Sequence, residues 1–347
     1  MSSRFSAGDG AHGPDLSLLK NARIMVTGGT GSFGQAFIRR ICELVDFQRL
    51  VVFSRDEVKQ YDMEQSFPRE HLGKLRFFIG DVRDLARLEM AMRDVDYVIH
   101  TAALKQVPAA EYNPFECINT NVIGSENVVR AAMRNGVKRV IALSTDKASN
   151  PINLYGATKL ASDKIFVAAN NISGSTKVRY SVVRYGNVVG SRGSVVPLFR
   201  RLMAEGADSL PITDERMTRF WITLREGVDF VISCLHMMRG GEIFVPKIPS
   251  MRMVDLARAM APKLPHRIIG IRPGEKLHET MLTEGDARST VEMQDRYVIE
   301  PALNWWDRTT FEGSLAKRVS EDFRYASDTN TEWLTAERLQ QILKDTP

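Results

Sequence analysis

Short apolar runs alternate with amphipathic stretches through the first half of the chain. Unbroken apolar runs are typical of strands buried on both faces, and they predict strands at 24–26, 50–53, 75–79, 97–100, 139–144 and 180–185. Between them, apolar residues at helical spacing predict helices at 35–44, 85–92 and 118–133. This alternation predicts an α/β fold with a doubly wound parallel sheet.

The pattern loosens in the second half of the chain. Gly, Pro and Arg become prominent in GSRGSVVP and RPGEK, while 254–260 and 331–343 still have the spacing of amphipathic helices. This change predicts a smaller mixed lobe built onto the sheet. The predicted division, which allows the chain to cross between lobes, is a flexible tail at 1–18, a doubly wound domain at 19–187 and a substrate-binding lobe at 188–347.

Composition and charge exclude several classes of protein. The chain is 44% hydrophobic and 26% charged, as in ordinary globular proteins. Its net charge of +5 is spread without Lys/Arg runs, which argues against a nucleic-acid partner. No apolar run approaches the roughly 18–20 residues that cross a membrane, and the start lacks the apolar core of a signal peptide. We therefore expect a soluble, cytoplasmic protein with no membrane partner.

Cysteine and histidine positions give no sign of a metal or of disulfides. Cys42, Cys117 and Cys234 lie far apart, without the spacing of paired or ligating cysteines. His100 and His278 fall in no plausible ligand set. We predict a reduced protein without a metal site.

A glycine-rich segment follows the first predicted strand and opens a helix. It reads TGGTGSFG at 27–34, with glycines at 28, 31 and 34. Small residues there let the backbone turn tightly and approach a pyrophosphate, whose charge faces the helix N-terminus. A plain turn is the alternative, but the order of strand, glycines and helix favours a dinucleotide and hence a Rossmann domain. The predicted binding residues are Gly28, Thr30, Gly31, Ser32, Phe33 and Gly34.

The end of the second strand bears on the choice of cofactor. An acidic residue there holds a ribose 2′-hydroxyl, whereas Arg favours a 2′-phosphate. Ser54 and Arg55 follow the strand directly and Lys59 lies one helical turn on, a set that predicts NADP. Asp56 could instead face the ribose, and a solvated SRDE loop is a further alternative.

The predicted strand ends converge on one crevice. In open α/β sheets, ligands bind outside the carboxyl ends of the strands. Small or polar residues follow each predicted strand, namely Gly28, Arg55, Asp81, Ala102, Thr145 and Asn187. We assign five residues at these ends to the cofactor: Asp81, Val82, Ala102, Ala103 and Val188.

A candidate reactive cluster follows the fifth strand. Tyr155 and Lys159 are four residues apart, so a helix places both on one face. A neighbouring ammonium is expected to lower the tyrosine pKa from about 10, and Thr145 can hydrogen-bond the same substrate oxygen. Such a group suits hydride removal from a carbinol carbon. YxxxK alone is often a solvated helix face, but the preceding Ser-Thr and the glycine loop make the reactive interpretation strong.

These motifs resemble a known superfamily. TGGTGSFG, YxxxK and RPGEK resemble the extended short-chain dehydrogenases/reductases. More narrowly, SRDE, ALKQVPAAEYNP, STDKASNPINLYGATK and RYGNVVGSRGSVVP resemble the inverting UDP-N-acetylglucosamine 4,6-dehydratases over nearly the whole chain from about residue 21. Membrane-bound relatives typically have Met at the position of Tyr155, which favours the soluble branch.

The resemblance implies a function and partners. It implies an NADP-dependent hydro-lyase that converts UDP-N-acetylglucosamine into a UDP-linked 2-acetamido-2,6-dideoxy-L-arabino-4-hexulose. That reaction is the first step of pseudaminic acid synthesis for flagellin or surface-glycan modification. It also implies a homo-oligomer.

The resemblance further implies roles for two ionisable residues. Asp146 would be the acid toward the leaving C6 hydroxyl, and Lys147 the base at C5. A lysine base must be neutral, hence partly desolvated or close to another cation. A solvated Asp-Lys pair is the alternative.

Residues on the substrate side are also implied by the resemblance. Arg219 lies where epimerases place a phosphate-binding arginine, although Phe220 replaces their usual Asp, whereas Arg272 matches its motif more cleanly. For each basic residue, a surface ion pair is a close alternative. The predicted substrate residues are Lys105, Asn187, Val195, Arg219, Arg272, Glu275 and Asn330, with Lys105 also beside the cofactor.

Two classes of alternative function remain from the sequence. A retaining 4,6-dehydratase or a 4-epimerase would share the fold, but an epimerase does not need Asp146 and Lys147. An NADP-sensing regulatory protein would be expected to lose Tyr155 and Lys159.

Overall fold

The computed structural model of the protein describes residues 5, 15–302, 306, 311 and 316–345. Its strands are β1 (Arg23–Thr27), β2 (Arg49–Ser54), β3 (Leu75–Ile79), β4 (Tyr97–His100), β5 (Arg139–Thr145), β6 (Arg179–Tyr185), β7 (Asn187–Val188), β8 (Leu210–Ile212), β9 (Thr218–Ile222), β10 (Ile243–Pro246), β11 (Ser250–Arg252), β12 (His266–Ile268), β13 (Thr280–Leu282), β14 (Thr290–Glu292), β15 (Arg296–Ile299), β16 (Lys317–Arg318) and β17 (Tyr325–Ala326).

The helices alternate with strands through the first half of the chain, as the pattern predicts. They are α1 (Ser32–Leu44), α2 (Glu57–Gln65), α3 (Arg69–Leu72), α4 (Leu85–Ala91), α5 (Val107–Tyr112), α6 (Pro114–Ile118), α7 (Gly124–Arg134), α8 (Leu154–Ile172), α9 (Val195–Ala204), α10 (Leu224–Met237), α11 (Met253–Met260), α12 (Glu284–Ala287) and α13 (Ala336–Asp345).

A ten-stranded sheet forms the centre of the molecule, in the order β16-β14-β15-β10-β6-β5-β4-β1-β2-β3. The strands from β10 to β3 are parallel, while β15, β14 and β16 add antiparallel pairs at one edge. The order 3-2-1-4-5-6 within it is that of a Rossmann fold. The predicted fold class is therefore confirmed, and all six predicted strands lie within β1 to β6.

The second half of the chain contributes strands to this sheet as well as forming the smaller lobe. Strands β10 and β14 to β16 extend the sheet, although they belong to the second half of the chain. Three smaller sheets, β11-β9-β7, β12-β8 and β13-β17, build the region beside its carboxyl edge. A second apolar cluster, centred on Phe199, Trp221 and Leu256, packs that region together.

The predicted tail lies largely outside the described residues. The described Phe5 is fully buried, with its ring centroid 4.8 Å from that of Phe230. A 3₁₀ turn at Ser17–Leu19 crosses the predicted boundary at residue 18. Within the described part of the chain, no helix has the length and apolarity that crossing a membrane requires.

Candidate active site

The glycine loop makes a cradle that only glycine can line. Gly28 has φ of +67°, and a Cβ there would lie 2.8 Å from the Ala102 backbone nitrogen. A Cβ on Gly34 would lie 2.6 Å from the Gly28 carbonyl oxygen. Helix α1 starts at Ser32 without a side-chain cap or an acidic residue in its first turn. Its positive end is therefore available to a diphosphate, and the cradle fits a dinucleotide.

The predicted 2′-phosphate residues have different surroundings. Ser54 Oγ lies 2.8 Å from Thr30 Oγ1, so this hydroxyl ties β2 to the loop. The Arg55 side chain is 54% exposed, with a guanidinium nitrogen 3.7 Å from a carboxylate oxygen of Asp81. Lys59 forms an ion pair with Asp56. Of the two basic residues, Arg55 is therefore exposed and only loosely paired, whereas Lys59 is tightly paired.

A cavity of about 380 Å³ lies at the carboxyl edge of the sheet. The predicted residues that line it are Gly28, Gly31, Ser32, Phe33, Ala103, Lys105, Thr145, Asp146, Lys147, Tyr155, Lys159, Asn187 and Val188. Outside this lining are Thr30, Gly34, Ser54, Arg55, Lys59, Asp81, Val82, Ala102, Val195, Arg219, Arg272, Glu275 and Asn330. The glycine loop and the reactive cluster thus face one space, as the strand ends predict.

Helix α8 carries the Tyr155 and Lys159 pair into the cavity. Asn153 caps the helix by accepting a hydrogen bond from the Gly156 backbone N–H at 2.7 Å. Tyr155 is 9% exposed and packs against Ala110 and Cys117, while Lys159 is 3% exposed. The spacing of four residues therefore does place both side chains at one site.

The pKa of Tyr155, in the pair that it forms with Lys159, is shifted in the direction opposite to the one expected. Burial raises the pKa of Tyr155 to about 12, against the opposing effects of the Lys147 ammonium and a Thr145 hydrogen bond. Burial also lowers the pKa of Lys159, although the Asp163 carboxylate opposes this. The expectation that the neighbouring ammonium lowers the tyrosine pKa is thus not met here, because loss of hydration outweighs it.

A buried acidic residue, absent from the prediction, lies behind this pair. Asp163 accepts hydrogen bonds from Ser144 Oγ at 2.8 Å and from an Arg184 guanidinium nitrogen at 3.3 Å. Burial raises its pKa, and the cations at Arg184 and Lys159 oppose that rise. Its place on α8, one turn after Lys159, is the only signal that the sequence offers.

Asp146 and Lys147 form a buried ion pair with a second carboxylate. Lys147 Nζ donates to Asp146 Oδ1 at 3.0 Å and lies 3.3 Å from Glu279 Oε1. Thr145 Oγ1 donates to the same Asp146 oxygen at 2.9 Å. Burial lowers the pKa of Lys147, but the two carboxylates outweigh it, and the net pKa is raised. The solvated alternative is therefore wrong. Burial and a nearby cation, Arg219, both act to lower the pKa of Lys147, as expected for a lysine base, but the two carboxylates outweigh them.

The substrate-side residues divide between the cleft and the scaffold. Arg219 is 5% exposed, and its guanidinium donates to the backbone carbonyls of Thr218, Lys276 and Leu277. Asn330 Nδ2 donates to the carbonyls of residues 248 and 332 and to the hydroxyl of residue 250. Both side chains thus hold the scaffold together in this structure.

The RPGEK turn lies beside the reactive cluster. Asn153 Nδ2 donates to the Gly274 carbonyl at 2.7 Å, and Lys276 Nζ donates to the Ser149 carbonyl at 2.7 Å. Arg272 in this turn is exposed, and the Glu275 backbone N–H donates to its carbonyl. Val195 is the first residue of α9, which starts next to the cavity-lining Ser194.

A doubly wound sheet with a Tyr/Lys pair facing its dinucleotide cradle defines the extended short-chain dehydrogenase/reductase class of enzymes. Comparison with known proteins is more specific. A family model described as polysaccharide biosynthesis protein matches residues 24–301, and the chain belongs to this family.

Relatives with known names cover almost the whole chain. It is 54% identical over 334 residues to the inverting UDP-N-acetylglucosamine 4,6-dehydratase of Campylobacter jejuni subsp. jejuni, covering 95% of this chain and 99% of that one. It is 40% identical over 330 residues to UDP-glucose 4-epimerase of Rickettsia canadensis, with 92% and 94% covered. The solved structure of Pen from Bacillus thuringiensis superposes with a TM-score of 0.86 at 33% identity, covering 94% and 98%. The resemblance stated from the motifs is confirmed.

Proposed function

We propose that the protein is a UDP-N-acetylglucosamine 4,6-dehydratase that inverts C5. The observation that carries this proposal is the Asp146–Lys147 pair, with its 3.0 Å contact, in the same cavity as Tyr155 and Lys159. Oxidation at C4 does not need Asp146 and Lys147, because Tyr155 and Lys159 serve that step. Elimination across C5 and C6 needs a further acid and base. The name of the Campylobacter relative supports the same reaction.

Tyr155 and Thr145 act at C4 in this scheme. The Tyr155 phenolate accepts the C4 hydroxyl proton, and Thr145 holds the same substrate oxygen by a hydrogen bond. The Lys147 ammonium favours the phenolate form of Tyr155. The glycine loop would hold a nicotinamide cofactor, which would supply hydride acceptance at C4 and hydride return at C6. After elimination, C5 takes up a proton from solvent, which completes the 6-deoxy-4-keto product.

Asp146 and Lys147 act at C6 and C5. The resting pair is a carboxylate and an ammonium, whereas elimination requires a carboxylic acid and an amine. One proton moved from Lys147 Nζ to Asp146 Oδ1, across 3.0 Å, produces both forms at once. The amine then takes the C5 proton, the C6–O bond breaks, and Asp146 gives its proton to the departing hydroxide as water.

We assign the cofactor as NADP, because Arg55, whose guanidinium is exposed, directly follows Ser54 at the end of β2. Arg55→Ala removes one charge-assisted contact and should cost about 1.5–3 kcal/mol in NADP binding, or roughly 10- to 150-fold in Kd. Titration of both cofactors should show a much smaller change for NAD. Arg76→Ala, on β3, is the matched control and should leave both affinities unchanged. Equal weakening of NADP and NAD by Arg55→Ala would contradict the assignment.

The cellular setting is a further part of the proposal. A cytoplasmic homo-oligomer would supply its 6-deoxy-4-keto product to pseudaminic acid synthesis for flagellin or surface glycans. Tyr112 and Phe115, which are 87% and 78% exposed, support self-association because large apolar side chains are seldom so exposed together.

The deciding experiment is incubation of the purified protein with UDP-N-acetylglucosamine in deuterated water, followed by NMR of the product. We expect a 6-deoxy-4-keto sugar with deuterium at C5 and the L-arabino configuration. A product that keeps its C6 hydroxyl and gains no C5 deuterium would show epimerisation at C4, the activity in the name of the Rickettsia relative. A dehydrated product with unchanged C5 configuration would remove only the inverting assignment.

A further inference from the structure

Glu279 is a buried carboxylate that the proposed roles do not use. It immediately precedes β13 and is 1% exposed. Its backbone is fixed on both sides, because its N–H donates to Ser327 Oγ at 2.9 Å and its carbonyl accepts from the Ser327 N–H at 2.8 Å. The side chain therefore enters the reactive cluster from a rigid point.

The shortest ion-pair contact of the Glu279 carboxylate is with Lys147, the proposed base. Glu279 Oε1 lies 3.3 Å from Lys147 Nζ, whereas Arg219 Nε and Lys276 Nζ lie 3.8 Å from the carboxylate oxygens. Arg219 and Lys276 also donate hydrogen bonds to backbone carbonyls. Within the described residues, the second oxygen of Glu279 has no hydrogen-bond partner. The carboxylate is thus placed to hold Lys147.

Lys147 needs an anchor other than Asp146. In the proposed scheme Asp146 becomes a carboxylic acid and then turns its proton toward the leaving hydroxyl. Its hydrogen bond to the lysine amine is weakened at that moment. Glu279 is held in place by two further cations, each 3.8 Å away, so its oxygen can accept an N–H from the amine throughout.

We propose that Glu279 is a positioning residue that directs the lone pair of the neutral Lys147 amine toward the C5 proton. It also stabilises the positive charge that develops on Lys147 as that proton arrives, since a buried carboxylate at this distance interacts strongly with an ammonium. The inference rests on the proposed dehydration. It concerns the elimination step and leaves the C4 oxidation step to Tyr155.

The test separates the two steps in single-turnover experiments. Glu279→Gln keeps the shape and removes the charge. We expect the rise of reduced-nicotinamide absorbance, which reports C4 oxidation, to stay within about twofold of wild type. In separate steady-state assays, KM should stay within about threefold. Elimination, followed by mass spectrometry of the 6-deoxy product and its C5 deuterium, should slow by about tenfold or more. Glu279→Asp, which keeps the charge, should retain more of the elimination rate than Glu279→Gln.

Glu300→Gln is the matched control. Glu300 is 3% exposed, lies 3.1 Å from an Arg318 nitrogen and is not among the residues that line the cavity. This variant should leave both steps unchanged. A Glu279→Gln enzyme that eliminates at the wild-type rate would overturn the inference. Equal slowing of oxidation and elimination in both Glu279 variants would also overturn it, because that result indicates a purely structural role. If Glu279→Gln does not fold, an Asp variant with slowed oxidation and normal elimination would overturn it equally. Failure of the wild-type enzyme to form a 6-deoxy product would instead refute the proposed function.

Discussion

Replacing Lys147 by alanine should affect stability as well as catalysis. The lysine nitrogen lies between two carboxylates, at 3.0 Å from Asp146 Oδ1 and 3.3 Å from Glu279 Oε1. The side chains of both acids are only 1% exposed. Without Lys147, two negative charges remain close together with little access to water. Their hydration cannot compensate for the lost cation, so the folded state should be destabilised.

The size of the effect follows from burial and from the remaining cations. Removing one partner of a buried ion pair costs about 3–5 kcal/mol. The Lys147 side chain itself is 26% exposed, and Arg219 and Lys276 stay 3.8 Å from Glu279. Both facts reduce the penalty, and we expect Lys147→Ala to lower the free energy of unfolding by about 2–4 kcal/mol at pH 7.

The difference in free energy of unfolding between wild type and Lys147→Ala should depend on pH with a definite sign. The two carboxylates raise the pKa of folded Lys147 above its ordinary value of 10.5, even though burial opposes the charge. A raised lysine pKa stabilises the folded state fully below the unfolded pKa and loses that stabilisation as pH rises through the folded pKa. The difference between wild type and Lys147→Ala should therefore be constant from about pH 7 to 9 and shrink above about pH 10.5.

Lys147→Arg separates the two roles. A guanidinium keeps the positive charge between the acids but cannot act as a base, because it stays protonated. Urea unfolding should show this variant within about 1 kcal/mol of wild type, yet NMR in deuterated water should show neither dehydration nor C5 deuterium. Wild-type turnover by Lys147→Arg would refute the role of Lys147 as base. Unchanged stability of Lys147→Ala would refute the account of the buried pair.

Two further variants test other parts of the molecule. Tyr155→Phe should reduce C4 oxidation of UDP-N-acetylglucosamine by about 100-fold or more, with unchanged circular dichroism; turnover at the wild-type rate would exclude Tyr155 as the essential base. Although burial opposes ionisation, hydrogen bonds from Arg23 and Lys138 hold the pKa of Asp96 at about 2, below the ordinary 3.8. A depressed carboxyl pKa stabilises the folded state at pH values above the unfolded pKa. Asp96→Asn should therefore lower the free energy of unfolding by about 2 kcal/mol at pH 7. This difference from wild type should vanish as pH falls from about 4 through 2. Equal urea midpoints for the two proteins at pH 7 would contradict this.

Secondary structure followed from local pattern wherever burial is uniform. Strands β1 to β6 were all predicted from apolar runs, which are typical of strands covered by helices on both faces. The edge strand β3 is such a run although only Leu75 of it is buried. The pattern was less reliable where the chain meets other segments. The helix predicted at 331–343 begins only at Ala336, because the chain before it is extended and Leu334 donates to the Ser250 carbonyl. The helix predicted at 118–133 is interrupted by a π-helical turn at Asn119–Ile123, where Asn121 hydrogen-bonds the Leu104 backbone.

The sequence by itself determined which groups can react. Glycines at fixed spacing after a strand, and a tyrosine and lysine four residues apart, act through local geometry, which the order of residues specifies. Tertiary structure decided how charged those groups are. Glu279 reaches Lys147, and Arg184 reaches Asp163 behind Lys159, only after distant segments pack together. Protonation depends on burial and on charges within a few ångströms, regardless of their separation in sequence. The direction of the pKa shifts at Tyr155 and Lys147 could therefore be established only from the folded protein.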